Sequence, residues 1–455
     1  MSGSELGLAE AVSMALGGMI GGGIYAVLGV VAGITGPATW FAFVVAGLVA
    51  ACGAYSYTVL NGVDDAHQGG SVSFVQRFVG NSTLAGMTGW TLLVGYVGSM
   101  AMYAFAFGEF TVALDAVPDS VAAVPLRPLV SVAAVAGFVG LNLVGARATG
   151  VVENVLVAAK VMVLVAFGLG GIVYATSSGS TTISLGADQL PTFGPVIAAA
   201  VSFVAFQGWQ LLFYDQESFE DPSDTIGRAV AIAIPAAVVV YVLVAVATVT
   251  LAPQAVTKHP HTALVKAAGN ILAPVGLSAV GYVGLTLSAL VSTGSAINAT
   301  LFSAGYFARG LVQNDLLPDR VGASSESGAP KRMLVILGVV TAAFAASGSL
   351  GAITSFASLA FIVVFGGASY LAFRERGRDA VHPVPPALGV VGTSAFFPLL
   401  LYHLYRAEPQ TLTAVVGIGV AVVAVELLYF ERDVIESEVA TIEHRLQDGE
   451  HPLDD

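Results

Sequence analysis

Apolar residues run along this chain in blocks of roughly 20, and a block of that length is what an α-helix needs to cross a bilayer. Twelve such blocks are legible, near 9–33, 37–60, 84–113, 125–145, 153–175, 191–214, 228–252, 274–308, 333–348, 351–373, 384–404 and 410–430. Blocks 3 and 8 are unusually long, which predicts tilted helices. The stretch 61–82 opens with the polar residues Asp64, Asp65 and His67, passes through Gly69-Gly70-Ser71, and predicts an amphipathic surface helix around Val72–Phe78. The region 253–272, with Pro253, Pro260 and two histidines, reads as an external loop holding a small helix.

The most informative departure from uniform hydropathy lies in block 1. Gly17-Gly18-Met19-Ile20-Gly21-Gly22-Gly23 places five glycines in seven positions, and glycine disfavours a continuous helix more than any residue but proline. Block 1 is therefore expected to break there. Unwound backbone inside a membrane is tolerated only where it is buried in protein or lines a cavity. A second interruption falls five blocks later, where Gly208 sits among bulky residues and two amides in Phe203-Val204-Ala205-Phe206-Gln207-Gly208-Trp209-Gln210. Matching defects in spans n and n+5 are what a five-helix inverted repeat predicts, with binding at the repeat interface near mid-membrane.

Composition agrees: 56% of residues are apolar and 10% charged, with a mean hydropathy of +0.83. Few residues remain for a soluble domain. Block 1 lacks a basic leader and a small-residue cleavage site, so it reads as a retained span and not a signal peptide. With the N-terminus inside, twelve Lys and Arg fall in cytoplasmic positions against four outside (Arg127, Lys258, Lys266 and Arg406). That asymmetry predicts two cytoplasmic termini. Net charge is −13 and only four of seventeen basic residues are lysine. A high-salt cytoplasm explains this, and so does a simple acidic tail, because residues 431–455 hold nine acids against two arginines. Cys52 reads as a packed small residue in an apolar block.

Three separated motifs resemble the amino acid–polyamine–organocation (APC) transporters, over roughly residues 8–375. They are the glycine run of block 1; Phe206-x-Gly208-Trp209 with the following Gln216–Ala229, similar to the family's loop after helix 6; and Ser295-Ala296-Ile297-Asn298-Ala299 running to Ala308-Arg309 and Asp315-Leu316-Leu317-Pro318, similar to its helix 8 and exit. Asp224 and Gly227 depart from the usual basic residue and proline. Gln210 stands where some exchangers of the family carry a glutamate, so a coupling carboxylate is not carried over.

The resemblance implies an all-α integral membrane protein of about 12 transmembrane helices, a LeuT-like five-plus-five inverted repeat with helices 1 and 6 broken. Residues 1–430 would form one transporter domain, with repeats at about 9–175 and 191–373 and extra helices at 384–430, followed by the cytoplasmic tail 431–455. The expected substrate site comprises Ile20, Gly21, Gly22 and Gly23, whose N–H groups would take a carboxylate. Opposite them would stand Phe203, Ala205, Phe206, Gly208 and Trp209, with carbonyls for an ammonium and an aromatic cover. Close packing of small residues is the plainer reading of the glycines, and an interfacial position that of Trp209.

Lys160 lies about eight residues into block 5, within an otherwise uncharged run. An intramembrane ionisable group is costly and marks function by default. Burial disfavours the charged form of an amine, which makes Lys160 a candidate proton carrier; snorkelling to the interface is the alternative. In the resembling fold, helix 5 meets the break of helix 1 and the middle of helix 8, where sodium-coupled relatives hold a cation. An ammonium beside Ser292 and Thr293 would substitute for it. Glu109 reads as a boundary residue facing the external vestibule, and the acids at 215–224 as a solvated loop. The histidines show no metal-ligand spacing.

The expectation is a secondary transporter in the cell membrane. It takes up an amino acid, tilted toward neutral by the apolar candidates in blocks 3, 6, 8 and 10, by proton-coupled alternating access. No cofactor, metal or nucleic acid is implied; amino acid, proton and lipid are the partners. The rivals are sodium coupling, amino acid exchange, and a non-transporting sensor signalling through the acidic tail. No paired carboxylates or nucleophile–base pair point to an enzyme.

Overall fold

A computed structural model of the chain describes residues 6–63, 70–144, 150–177, 182–214, 216–314, 316 and 330–425. The stretch around Asp64, Asp65 and His67, the loop residue Asp215 and the acidic tail 431–455 lie outside these residues.

Over the described residues, each of the twelve apolar blocks falls on a helical span. In chain order these are α1 (Leu8–Thr35), α2 (Thr39–Gly62), α4 (Ser82–Val112), α5 (Leu126–Val144), α6 (Gly150–Ser177), the segment opened by α7 (Gly194–Ser202), α8 (Pro222–Leu251), α11 (Ser278–Gln313), α12 (Lys331–Ser347), α13 (Leu350–Arg374), α14 (Val384–Ala407) and α15 (Pro409–Val425). The two longest, α11 and α4, span 36 and 31 residues, as blocks 8 and 3 predict. The surface helix is α3 (Ser71–Val79). The region after α8 folds as α9 (Pro253–Lys258), one 3-10 turn (Pro260–Thr262) and α10 (Ala263–Leu272). A two-residue-per-strand hairpin, Ser120–Val121 with Val124–Pro125, joins α4 to α5.

The packing follows the five-plus-five pattern. Exchanging span n for n+5 turns one observed contact into another: α1 packs on α8 as α7 packs on α2. Likewise α6 packs on α8 as α13 does on α2, and α4 on α12 as α11 does on α5. The pairs α2–α8, α4–α11 and α5–α12, each lying on the symmetry relation itself, are also in contact.

Two ties close the ends of the bundle. On the face where the chain begins, the Leu6 N–H donates to the Ser218 carbonyl at 2.8 Å and the Glu220 N–H donates to the Leu6 carbonyl at 3.0 Å. The start of α1 is thus clipped to the loop that follows the sixth span. On the opposite face, the 3-10 turn at Pro260–Thr262 lies against α1 and α4, its Pro260 carbonyl pressed onto the Cα of Gly29.

Beneath that turn, Arg127 donates to the last carbonyls of α12, Ala345 at 2.6 Å and Ala346 at 3.3 Å. Its guanidinium stacks 3.9 Å from the Phe105 ring centre and lies 3.8 Å from Glu109. A cation on the C-terminal carbonyls of a helix is favoured by the helix dipole as well. Glu109, expected to face a vestibule, is tied to this staple.

His261 packs edge-on against Phe105, with 5.8 Å between ring centres. Burial, and then the charge of Arg127, hold its imidazole below the usual 6.5. The docked turn therefore favours neutral His261, whereas a released turn takes up a proton near 6.5. Docking is at full strength above that value and is lost as pH falls through the lowered one. The protection of amides in residues 253–276, taken relative to the intrinsic exchange rate at each pH, is expected to fall between about pH 7.5 and about pH 5, and His261→Phe to abolish that fall. An unchanged pH profile in the variant would assign the effect elsewhere.

Candidate substrate site

The sixth span is broken at its centre. The α-helix α7 ends at Ser202, one 3-10 turn covers Phe203–Phe206, and Gln207 is extended with φ −83° and ψ 158°. Gly208 follows at φ +123°, in a region open to glycine and strained for other residues. The chain resumes as 3-10 turns over Trp209–Tyr214.

Against this break lies α1, and here the expectation from the glycine run is corrected. α1 is a single helix from Leu8 to Thr35, with no interruption at Gly17–Gly23. The glycines serve closeness instead. A β-carbon on Gly18 would stand 2.8 Å from the Gly208 Cα, and one on Gly23 would stand 2.8 Å from the Ala205 carbonyl oxygen. One on Gly22 would overlap the ring of Tyr103. Glycine costs about 1 kcal/mol per position in helix propensity. An unpaired peptide group in hydrocarbon costs several, so the hydrogen-bonded helix persists and its missing side chains become room for neighbours.

The crossing is dense with hydrogen bonds from other spans. Ser358 of α13 bridges the break, accepting from the Val204 N–H at 3.0 Å and donating to the Val201 carbonyl at 2.6 Å. The Tyr241 hydroxyl of α8 lies 2.7 Å from the Met19 carbonyl and 2.8 Å from that of Ala205. It has one proton for two acceptors. The Gly208 N–H donates to Gln210 Oε1 at 2.6 Å, Gln210 Nε2 donates to Gln207 Oε1 at 3.2 Å, and Gln207 Nε2 donates to the Tyr103 hydroxyl at 2.5 Å.

Lys160 reaches the same stretch of α1. It is 5% exposed, which sets aside snorkelling, and its Nζ donates to the Gly17 carbonyl at 3.3 Å. The amine also lies 3.7 Å from where a Gly21 β-carbon would be. Ser292 donates to the Ile20 carbonyl at 3.3 Å. Gly17, Met19 and Ile20 therefore each receive a side-chain donor, from α6, α8 and α11 in turn. Thr293 turns onto its own helix and donates to Ala289 at 2.7 Å.

The aromatic residues of the sixth span are buried among other spans. Phe203 packs on Phe365 and Phe396, Phe206 on Tyr241, and Trp209 on Tyr57, Phe213 and Phe365. Trp209 is fully buried inside the bundle. The ring that lies on Gly22 of α1 belongs to Tyr103. Sequence reasoning singled out neither Tyr103, Tyr241 nor Ser358. The available signal was the pair of amides at Gln207 and Gln210, which need partners if buried.

A bundle of apolar helices with a central broken span facing a glycine-rich one is the arrangement of a membrane transporter. More particularly, the chain belongs to the amino acid permease family, whose sequence model matches residues 6–430. It is 28% identical to the inner membrane transport protein YbaT of Escherichia coli, over 91% of this chain and 93% of that protein. It is 24% identical to the mouse b(0,+)-type amino acid transporter 1, over 85% of this chain and 80% of the relative. A crystal structure of a mutant manganese transporter from Eremococcus coleocola superposes with a TM-score of 0.61, at 14% identity and 94% coverage of both chains. That likeness carries the fold alone. Among the described residues no three His, Cys, Asp or Glu side chains are grouped to hold a metal.

Ser358→Ala removes both partners it supplies at the break. A loss of about 1–3 kcal/mol in stability is expected, read as a lowered unfolding midpoint of the purified protein. Ser358→Thr, which keeps the hydroxyl, is expected to retain most of it; equal losses in both would show that volume and not hydrogen bonding matters there.

Proposed function

We propose that this permease takes up a neutral amino acid by proton-coupled alternating access, with both termini in the cytoplasm. The substrate would lie at the crossing of α1 with the broken sixth span. Ile20, Gly21, Gly22 and Gly23 would border its carboxylate, and Phe203, Ala205, Phe206, Gly208 and Trp209 would contribute the backbone and packing of the opposite wall. The mouse relative's name, an amino acid transporter, supports this substrate class.

The observation that carries the coupling is the position of Lys160, a buried amine on the Gly17 carbonyl at 3.3 Å. Ser292 on the Ile20 carbonyl, about one turn further along, ties α11 to the same stretch. A protonated Lys160 donates to α1 and holds α6, α1 and α11 together. A neutral amine donates more weakly and loosens that joint. Protonation thus biases which face the crossing opens to, and a bound ammonium there makes a sodium ion unnecessary. Proton binding and substrate binding then favour one another through the same stretch of helix.

The test is uptake into proteoliposomes under an inward proton gradient without sodium. Accumulation that a protonophore collapses is expected, and Lys160→Ala is expected to lower it by about tenfold or more, a change of about 1.4 kcal/mol or more. Proton-driven uptake that survives in Lys160→Ala overturns the coupling role. Accumulation that needs a sodium gradient or preloaded amino acid assigns another driving force.

A further inference from the structure

Tyr103 stands in the C-terminal half of α4 and is 1% exposed. Its Cδ1 and Cε1 atoms lie over the Cα of Gly22 so closely that no β-carbon fits between them. The far end of the ring is held as well. Gln207 Nε2 donates to its hydroxyl at 2.5 Å, Gln210 Nε2 donates to Gln207 Oε1 at 3.2 Å, and the Gly208 N–H donates to Gln210 Oε1 at 2.6 Å. The ring thus joins α1 to the broken span, fixed by contact at one end and by a chain of amides at the other.

The surroundings leave this ring little freedom to yield. Gly18 and Gly208 meet backbone to backbone, and Gly23 meets the Ala205 carbonyl. Tyr241 occupies the Met19 and Ala205 carbonyls from α8. Protein interiors are close-packed, and inserting even a methylene forces neighbours to shift. The groups in the chain are a phenol and two amides, which are neutral and offer no counter-charge to an ionised side chain.

We propose that Tyr103 is the specificity-determining residue of the site: its ring, clamped by Gln207 over Gly22, restricts the substrate to small neutral amino acids of the size of glycine, alanine or serine. This rests on the reading of the α1–sixth-span crossing as the amino acid site. A larger side chain meets the ring, and the ring withdraws only by breaking its bond to Gln207. A charged side chain finds a neutral wall.

The test pairs binding with transport. Thermal unfolding of the purified protein is followed with glycine, alanine, serine, leucine, phenylalanine, lysine and glutamate in turn, which reads binding without any coupling ion. Uptake of labelled alanine and leucine into proteoliposomes is measured beside it. The wild type is expected to be stabilised by the small neutral members and to favour alanine over leucine by about tenfold or more. Tyr103→Ala and Tyr103→Leu, two variants that open the space to different degrees, are expected to raise leucine relative to alanine by about tenfold. Tyr103→Phe keeps the ring but drops the bond to Gln207, and is expected to relax the preference for alanine part of the way, less than the two opened variants do.

A wild type that takes leucine as readily as alanine overturns the proposal. So does an unchanged ratio in whichever opened variant folds. Binding of small amino acids with no proton-driven uptake leaves Tyr103 in its role and removes only the proton-coupling reading. Binding of none of the seven removes the amino acid site itself, and this proposal with it.

Discussion

A peptide group with no partner in hydrocarbon costs several kcal/mol, and the centre of this protein is organised around that penalty. The sixth span stops being a regular helix at Phe203 and continues past Gly208 as 3-10 turns, which strands backbone donors and acceptors at mid-bundle. Three other spans answer. Ser358 from α13 serves the α7 side of the gap, Tyr241 from α8 serves Ala205, and Tyr103 of α4 steadies the amides that cap Gly208. The break is thus a joint that several helices must hold, and any motion of the sixth span changes partners in all of them.

The same penalty explains why α1 stays whole. Its glycines weaken it by propensity, yet unwinding would orphan several peptide groups with no water to receive them. The compromise is a helix that keeps its own bonds and accepts additional ones at Gly17, Met19 and Ile20 from Lys160, Tyr241 and Ser292. A carbonyl already bonded along its helix shares a second donor at small cost, because oxygen has two lone pairs. Neighbouring spans therefore grip α1 at its weakest stretch without unwinding it. Tyr241, with one proton between two carbonyls, couples α1 to the broken span directly: whichever carbonyl receives the proton, the other is held less firmly.

Much of this was legible in the sequence. Twelve apolar blocks became twelve helical spans, because hydropathy over a bilayer's thickness leaves few alternatives. The break at Gly208 was legible from an isolated glycine among bulky residues, and the buried Lys160 from a charge in an uncharged run. The continuity of α1 was not legible, since local propensity pointed to a break and tertiary contact with Tyr103, Gly208 and Ala205 overrode it. Nor was the direction of Phe206 and Trp209, because the face a ring takes depends on neighbours far along the chain. Ser358 left no local mark, being one serine among several small residues of α13.

Close packing of the glycine run and the substrate recognition proposed for it would rest on one physical arrangement. Removing side chains from α1 at Gly18, Gly22 and Gly23 lets the broken span, Tyr103 and Tyr241 approach its backbone. That approach brings polar groups of four spans, together with Lys160, onto about two turns of helix. A zwitterion binds where backbone polarity is concentrated and water is excluded, since electrostatic attraction is strongest in such surroundings. Packing creates that concentration, and the glycines are what permit the packing. Bulk added at Gly18 or Gly23 would act on recognition and on helix association together, because it would separate the same pair of backbones.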